Sequence, residues 1–324
     1  LDWASGAPSL LLEPSRTNAF PNSEYFMAAS WASKTGFITE ENTNETLSPE
    51  GYYNATKFIA TNTDPVIFDF LNVDVAPYVF TFYAKGKGST IGKEIKSRFL
   101  YLSSATGQNQ EDIFTLTGDW QRFEAKTTPT GAGDLLVRID FPAETAVIGD
   151  EAYLYGVQLE QGSYPTSYIP TYGVSQTRLA DDAYITSASS IIDSEEGVLF
   201  CEAEALNEVL ESFFEFKISN GLNQVRIQFP SGSNIQGAVF NGAYQALINY
   251  AATRKQNNKI AFKYKANDFA LFINGVKVGS DTSGTTFGAN FLNRIDLGNE
   301  AKVKQALVFP TALSDEECIQ LTTI

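Results

Sequence analysis

Along most of this chain, apolar and polar residues alternate with a period of two in short runs, separated by clusters of Gly, Asn, Asp, Pro and Thr. Successive side chains of an extended strand point to opposite faces, so this pattern predicts many half-buried strands and an antiparallel sandwich. In "DLLVRIDF", Leu135, Val137, Ile139 and Phe141 share one face while Arg138 and Asp140 share the other. "YVFTFYAKG" likewise puts Tyr78, Phe80 and Phe82 together, and "GDWQRFEAKTT" reads as a turn feeding a strand, with Trp120 and Phe123 available to the core.

The second half carries a sharper signal. In "KIAFKYKANDFALFINGVKVGSD", Ile260, Phe262 and Tyr264 alternate with Lys263 and Lys265, a turn follows at Ala266-Asn267-Asp268, and Phe269, Leu271 and Ile273 return. Asn274-Gly275 then meets the type I′ requirement of positive φ at both central residues, so a third strand through Val276 and Val278 completes a meander. Helical periodicity is nearly absent. The exception is "SDEECIQL", where Ser314 and Glu317 have the spacing of a capping box and predict a short terminal helix. "TYGVSQTRLADDAYITSASSIIDSEEG" has little alternation and many small polar residues, which places a boundary near Thr171.

A length of 324 residues exceeds what one core usually fills, so two domains are expected. A formal net charge of −15 argues against nucleic acid and anionic membrane as partners, since both require clustered Lys and Arg. No stretch approaches the roughly 20 apolar residues that span a bilayer, and the first residues lack the pattern of a signal peptide. Because the first residue is Leu1, the chain reads as processed or truncated. The absence of histidine removes the commonest general base, the usual zinc ligand and every Ser-His or Cys-His pair. Cys201 and Cys318 read as two buried free thiols, with one bridge as the alternative. "KGKGST" lacks the spacing of a phosphate-cradling loop, so no nucleotide site is expected.

"VQLEQGSYPTSYIPTYG", residues 157–173, crosses two prolines and three tyrosines. Pro165 and Pro170 deny the chain two ladder donors, so the segment runs over a surface or edge as a clasp, with its tyrosines packed ring-down. A sugar-stacking site is the alternative. This stretch, with "TRLADDAYI", the opening "PSLLLEPSRTNAFPNSEYF" and Trp31, resembles a family of bacteriophage virion fibre and spike proteins. That family pairs a carbohydrate-binding-module-like jelly roll with a concanavalin A-like, laminin-G-like domain. "EGVLFCEAEAL" and "NDFALFINGVKV" look like strands of the second domain.

The expected architecture is therefore all-β: a jelly roll over residues 1–171, then a concanavalin A-like sandwich over 172–324 with a short C-terminal helix, residues 172–194 forming the linker and first strand. The resemblance implies a non-enzymatic protein of the virion surface, outside the cell, that attaches to host glycan. Host-surface polysaccharide and other virion proteins would be its partners, and a homo-oligomer, a trimer foremost, its state. A polysaccharide-degrading enzyme and a purely structural decoration protein are the rival readings.

Candidate residues follow from these expectations. Glycan stacking needs rings in loops with amide or carboxylate neighbours: Trp31, Tyr52, Tyr53 and Tyr101 in the first domain, and Asn241, Tyr244, Gln245 and Asn249, gathered in "FNGAYQALINY", in the second. Tyr250 and Phe287 are further ring candidates, although burial accounts for most aromatics in such a protein. No cofactor is required. The resemblance admits a structural calcium, with Glu13, Asp150, Glu151 and Glu160 as candidate ligands, and the ion would need about six to eight converging oxygens. A solvated acidic rim is the alternative, as is a local Glu13–Arg16 ion pair. Glycoside hydrolysis needs two carboxylates about 5–10 Å apart. "CEAEAL" offers Glu202 and Glu204 on one face but a leucine where concanavalin A-like glycanases carry a third acid, so no catalytic residue is assigned. Lys85, Lys87, Lys93, Lys96 and Arg98 form the one basic cluster, suited to an acidic polysaccharide or to a solvated loop.

Overall fold

The computed structural model describes residues 8–101, 104–141, 145–207, 213–230, 232 and 234–324. Among the described residues the protein is all-β apart from short helical turns and one C-terminal α-helix, and it divides into two compact units, Ser15–Arg178 and residues 8–14 with 179–324.

In the first unit two five-stranded antiparallel sheets face each other. One has the order Gln121–Thr127, Tyr78–Lys87, Glu151–Gln161, Thr56–Ala60, Phe37–Glu40. The other runs Ser33–Thr35, Val66–Val73, Gly133–Asp140, Glu94–Leu100, Gln110–Thr115. Most successive strands jump from one sheet to the other, the winding of a jelly roll. The alternation read from sequence sets the core: Tyr78, Phe80 and Phe82 pack with Leu135, Val137, Ile139 and Phe141. Phe123 joins them, but Trp120 does not.

The clasp is built as a satisfied non-strand segment. Buried Asn18 donates to the carbonyls of Val157 and Ile169 at 3.0 and 2.9 Å and accepts from the amides of Phe20 and Leu159. Gln158 accepts from Ile169 N at 2.6 Å, and Glu160 accepts from the backbone and hydroxyl of Thr166. Backbone donors that two prolines keep out of a ladder are thus answered by side chains of the neighbouring strand.

The second unit stacks two six-stranded sheets. The first has the order Leu10–Leu12, Ala301–Phe309, Glu196–Ala205, Asn258–Lys265, Phe269–Ile273, Val276–Asp281, and contains the expected meander. Its tight turn has φ of 50° at Asn274 and 80° at Gly275, as the Asn-Gly pair predicts. The second sheet runs Ala183–Thr186, Arg294–Leu297, Phe214–Asn220, Asn223–Phe229, Asn234–Phe240, Tyr244–Ala251. On Glu196–Ala205, Leu199, Cys201 and Ala203 enter the core between the sheets, while Val198 and Phe200 point outward. That outer patch, with Ala261, Ala270 and Phe272, is covered by the helix Asp315–Thr322 through Cys318, Ile319 and Leu321. The capping box forms: Ser314 Oγ accepts from Glu317 N at 3.2 Å and Glu317 accepts from Ser314 N at 2.8 Å. Both cysteines are buried free thiols on opposite faces of this sheet, which excludes a bridge between them.

The observed division differs from the expected one at Thr171 in two places. Gln176–Arg178 pairs with Arg16–Asn18, carrying the first unit on to Arg178. Leu10–Leu12 pairs with Ala301–Phe309, so the lead segment belongs to the second sandwich, where Leu12 is buried in the core. Local patterning marks a strand but not its partner, which is why the sequence placed this segment with its chain neighbours.

Candidate functional site

The alternation that buries Tyr78, Phe80 and Phe82 turns Tyr83, Lys85 and Lys87 to the outer face of the same sheet. Strand register extends this into cross-strand rows. Arg122 lies beside Tyr83, which lies beside Tyr155; Lys85 lies beside Tyr153, which lies beside Lys57; Lys87 lies beside Glu151. Rings and cations in such rows reinforce one another. The Arg122 guanidinium sits 5.6 Å from the Tyr83 ring centre, and the Lys85 ammonium lies 5.4 Å from Trp120 and 5.3 Å from Tyr153.

A long hairpin loop, residues 41–55 between Phe37–Glu40 and Thr56–Ala60, crosses this face as a strap. Hairpin loops usually hold about 2–5 residues, and much longer ones commonly serve a function. Glu45 accepts from Lys57 Nζ and Lys87 Nζ at 2.7 Å each and from the Tyr153 hydroxyl at 2.6 Å. Lys57, Lys87 and Tyr153 together hold the Glu45 carboxyl down to about 2. Lys85 donates to Thr46 Oγ1 at 2.6 Å, and Trp120 Nε1 donates to the Leu47 carbonyl at 2.8 Å. Beneath the strap Tyr153 is 4% exposed and Lys57 5%.

At one end of the face lies a cluster of phenols and acids. Buried Glu24 presents Oε1 3.1 Å from the hydroxyls of Tyr168 and Tyr172 and 3.2 Å from that of Tyr155, while Asn54 donates to Oε2 at 3.2 Å. The closest partner of the Tyr155 hydroxyl is Glu50, at 2.6 Å. Burial raises the pKa of the Tyr155 and Tyr168 phenols and so keeps them protonated, and the neighbouring carboxylates add to the shift. Gly156 supports this packing: its φ of 60° sits at a bulge, and a Cβ there would come within 3.1 Å of the Tyr168 ring. Three rings of this segment and the strap remain outside: Tyr52 at 66%, Tyr53 at 57% and Tyr172 at 70% exposed.

The other sequence candidates scatter. Trp31 is not a surface ring; it is 5% exposed and stacked between Phe20 and Phe26 at 5.2 and 5.5 Å, because the apolar segment around it is drawn into the sandwich. Tyr101 is half-buried, its hydroxyl 2.7 Å from Thr127 Oγ1, beside an open polar hollow of about 520 Å³ lined by Gln108, Gln110 and Lys126. In the second sandwich, Asn241 donates to the Thr286 carbonyl and Gln245 accepts from Thr285, so both hold the loop around Thr285. Asn249 accepts from Gln236 at 2.6 Å, and the Tyr244 hydroxyl accepts from Arg226 at 2.9 Å, leaving the Tyr244 ring half-exposed. Tyr250 is exposed and Phe287 buried.

The three candidate calcium ligands of the first unit, Asp150, Glu151 and Glu160, share no site. Asp150 accepts from Lys93 at 2.5 Å, Ser89 at 3.0 Å and Val147 N at 2.8 Å. Glu151 pairs with Lys87 at 2.5 Å, Glu160 is committed to Thr166, and Glu13 belongs to the other unit from these three. Glu151 and Glu160 stand near opposite ends of one strand, roughly 30 Å apart at about 3.3 Å per residue. Among the described residues no three Asp, Glu or Cys side chains group to hold a metal. Arg16 lies over Tyr164 at 5.2 Å. Glu202 accepts from Asn257 at 2.6 Å and lies 3.8 Å from Lys304, so its carboxylate is tied within the sheet face. The basic cluster is split between sheets: Lys85 and Lys87 face the strap, while Lys96 and Arg98 pair with Glu111 on the other sheet. A cavity of about 580 Å³ in the second sandwich is apolar, lined by Tyr184, Phe216, Ile295, Leu297, Ala306 and Val308 among others. No described helix is long and apolar enough to cross a membrane.

No family model matches the sequence. No curated protein matches it either. Among solved structures, the chain is similar to the N-terminal CBM22-1–CBM22-2 tandem domain of Paenibacillus barcinonensis Xyn10C, at 9% identity and a TM-score of 0.32, over 94% of this chain and 98% of that one. It is also similar to domains LG4-5 of the mouse laminin α1 chain, at 11% identity and a TM-score of 0.26, over 76% of this chain and 90% of that one. Likenesses of this size bear on no residue of the face described above.

Sequence reasoning missed Tyr83, Trp120, Tyr153 and Tyr155, and the signal was present. The alternation that named the core residues of Tyr78–Lys87 also gathers Tyr83, Lys85 and Lys87 on its reverse, an aromatic and basic side in an acidic protein.

Proposed function

We propose that this protein binds glycan through the outer sheet face and phenol-rich end of the first sandwich, and performs no chemistry on it. The observation that carries this reading is the meeting of Tyr155, Tyr168 and the exposed Tyr172 with Glu24 and with Glu50 and Asn54 of the strap, which also exposes Tyr52 and Tyr53. Phenol rings supply apolar faces for sugar C–H groups, and carboxylate and amide oxygens accept sugar hydroxyls. The virion placement, as a fibre or spike component that attaches a bacteriophage to its host, rests on the sequence resemblance. So do the expected trimer and the partnership with other virion proteins. Repeated weak sites on a symmetric assembly make later contacts intramolecular and raise avidity by about 10²–10⁴.

The enzyme reading has one arrangement to draw on, the carboxylates of Glu24 and Glu50 on either side of the Tyr155 hydroxyl. Against it, three phenol hydroxyls and the Asn54 amide crowd Glu24, which leaves little room for a reacting glycosidic oxygen. The test is a glycan-array screen of the full chain beside its Tyr53→Ala and Tyr172→Ala variants. Retention that both variants weaken, without release of reducing ends, supports an adhesin. Released reducing ends that Glu24→Gln abolishes would replace it with a hydrolase, and a blank array would favour a purely structural protein.

A further inference from the structure

The strap treats its own residues and those beneath it very differently. Leu47, Tyr52 and Tyr53 are exposed, and so are Glu45 and Glu50, yet the strap shields Tyr153 and Lys57 almost completely. Its contacts with the face are ion pairs and hydrogen bonds: Glu45 to two lysines and a phenol, Thr46 to Lys85, the Leu47 carbonyl to Trp120, and Glu50 to Tyr155. Polar contacts of this kind are exchangeable, because another polar group can replace each partner with little net change. Lys85 adds a second observation. Its ammonium lies between Trp120 and Tyr153 with the Thr46 hydroxyl as its hydrogen-bond partner, and no described carboxylate pairs with it. A cation left without an anion on an aromatic platform, in a protein of net charge −15, fits an anionic ligand.

We propose that a carboxylate-bearing glycan displaces the strap, its uronate taking the position that Glu45 holds between Lys57, Lys87 and Tyr153 while a neighbouring sugar ring lies on Trp120. The proposal rests on the glycan reading above and names its substrate class, an acidic polysaccharide built from hexuronic acid. Glu45 is then an internal surrogate for the ligand carboxylate, and the strap a competitive cover. No covalent step is involved; one carboxylate replaces another.

The test is calorimetric titration of the full chain with hexamers of galacturonate, mannuronate and glucuronate, each beside its carboxyl-reduced neutral counterpart. At least one uronate hexamer should bind about tenfold more tightly than its reduced form, the scale of one charge-assisted contact. Glu45→Gln should raise that affinity about tenfold and speed hydrogen exchange of the amides of residues 42–54. Lys85→Gln should lower the affinity by a similar factor. Equal affinities for a uronate and its reduced form, or an affinity of Glu45→Gln no higher than the parent, would overturn the strap proposal and leave glycan binding standing. If no hexamer binds either protein, the proposal falls; the glycan reading falls with it only when the array of the full chain is also blank.

Discussion

Each sandwich covers the outer face of one of its sheets, the second mainly with apolar side chains beside the Asp315 ion pairs to Lys263 and Lys277, the first chiefly with polar groups. In the second, the helix Asp315–Thr322 sets Cys318, Ile319 and Leu321 on Val198, Phe200, Ala261, Ala270 and Phe272. In the first, the strap lies on Lys57, Lys85, Lys87, Trp120 and Tyr153 through charges and hydroxyls. Water competes poorly for an apolar contact and well for a polar one. The helix is consequently part of the fold, whereas the strap rests on the fold as a closure that a suitable solute can replace.

The largest effect that sharpens this contrast is expected under the helix. Phe272→Ala should cost about 3–5 kcal/mol in denaturant unfolding of the second sandwich, since the buried ring leaves a cavity. Next comes the helix start: Ser314→Ala removes the acceptor for Glu317 N and should cost about 1 kcal/mol. In the strap, Glu45→Gln should cost less than about 1 kcal/mol at pH 7, because the pair is partly solvated. Its acid dependence is the better readout. Glu45 titrates near 2 in the folded chain, below its ordinary value of 4.5, so it stabilises the fold above pH 4.5 and this contribution disappears as pH falls toward 2. Glu45→Gln should flatten that limb of the stability profile. Leu47→Ala, an exposed strap residue, should stay within about 0.5 kcal/mol, and a loss as large as that of Phe272→Ala would erase the distinction between the covers. Smallest of all, a chelator should leave the melting temperature unchanged, since Asp150, Glu151 and Glu160 already have protein partners.

The sequence made the material of the fold legible. Period-two runs named the core faces of Tyr78–Lys87, Gly133–Asp140 and Asn258–Lys265; Asn274-Gly275 named its turn; Ser314 and Glu317 named the helix start; Pro165 and Pro170 named the clasp. In each case the deciding physics is local, within a few residues. What could not be read was what covers an outward face. Trp120 looks like core by its hydrophobicity, yet its indole N–H found the Leu47 carbonyl and its ring found Lys85, partners from two distant segments. Trp31 erred the other way, a loop tryptophan pulled between two phenylalanines. Glu13, Asp150, Glu151 and Glu160 illustrate the limit for metal sites, because composition supplies oxygens but only tertiary placement makes them converge.

Because Leu10–Leu12 hydrogen-bonds along Ala301–Phe309, the jelly roll is spliced into the sequence of the other sandwich. Translation therefore delivers Ser15–Arg178 whole while the early strand still lacks its mate, Ala301–Phe309, which follows only later in the chain. The inserted module can finish folding on the ribosome, while Leu10–Leu12 of its host waits unpaired until Ala301–Phe309 arrives. A gene fragment that stops after Arg178 but before residue 301 would yield one mature sandwich beside an unfinished one.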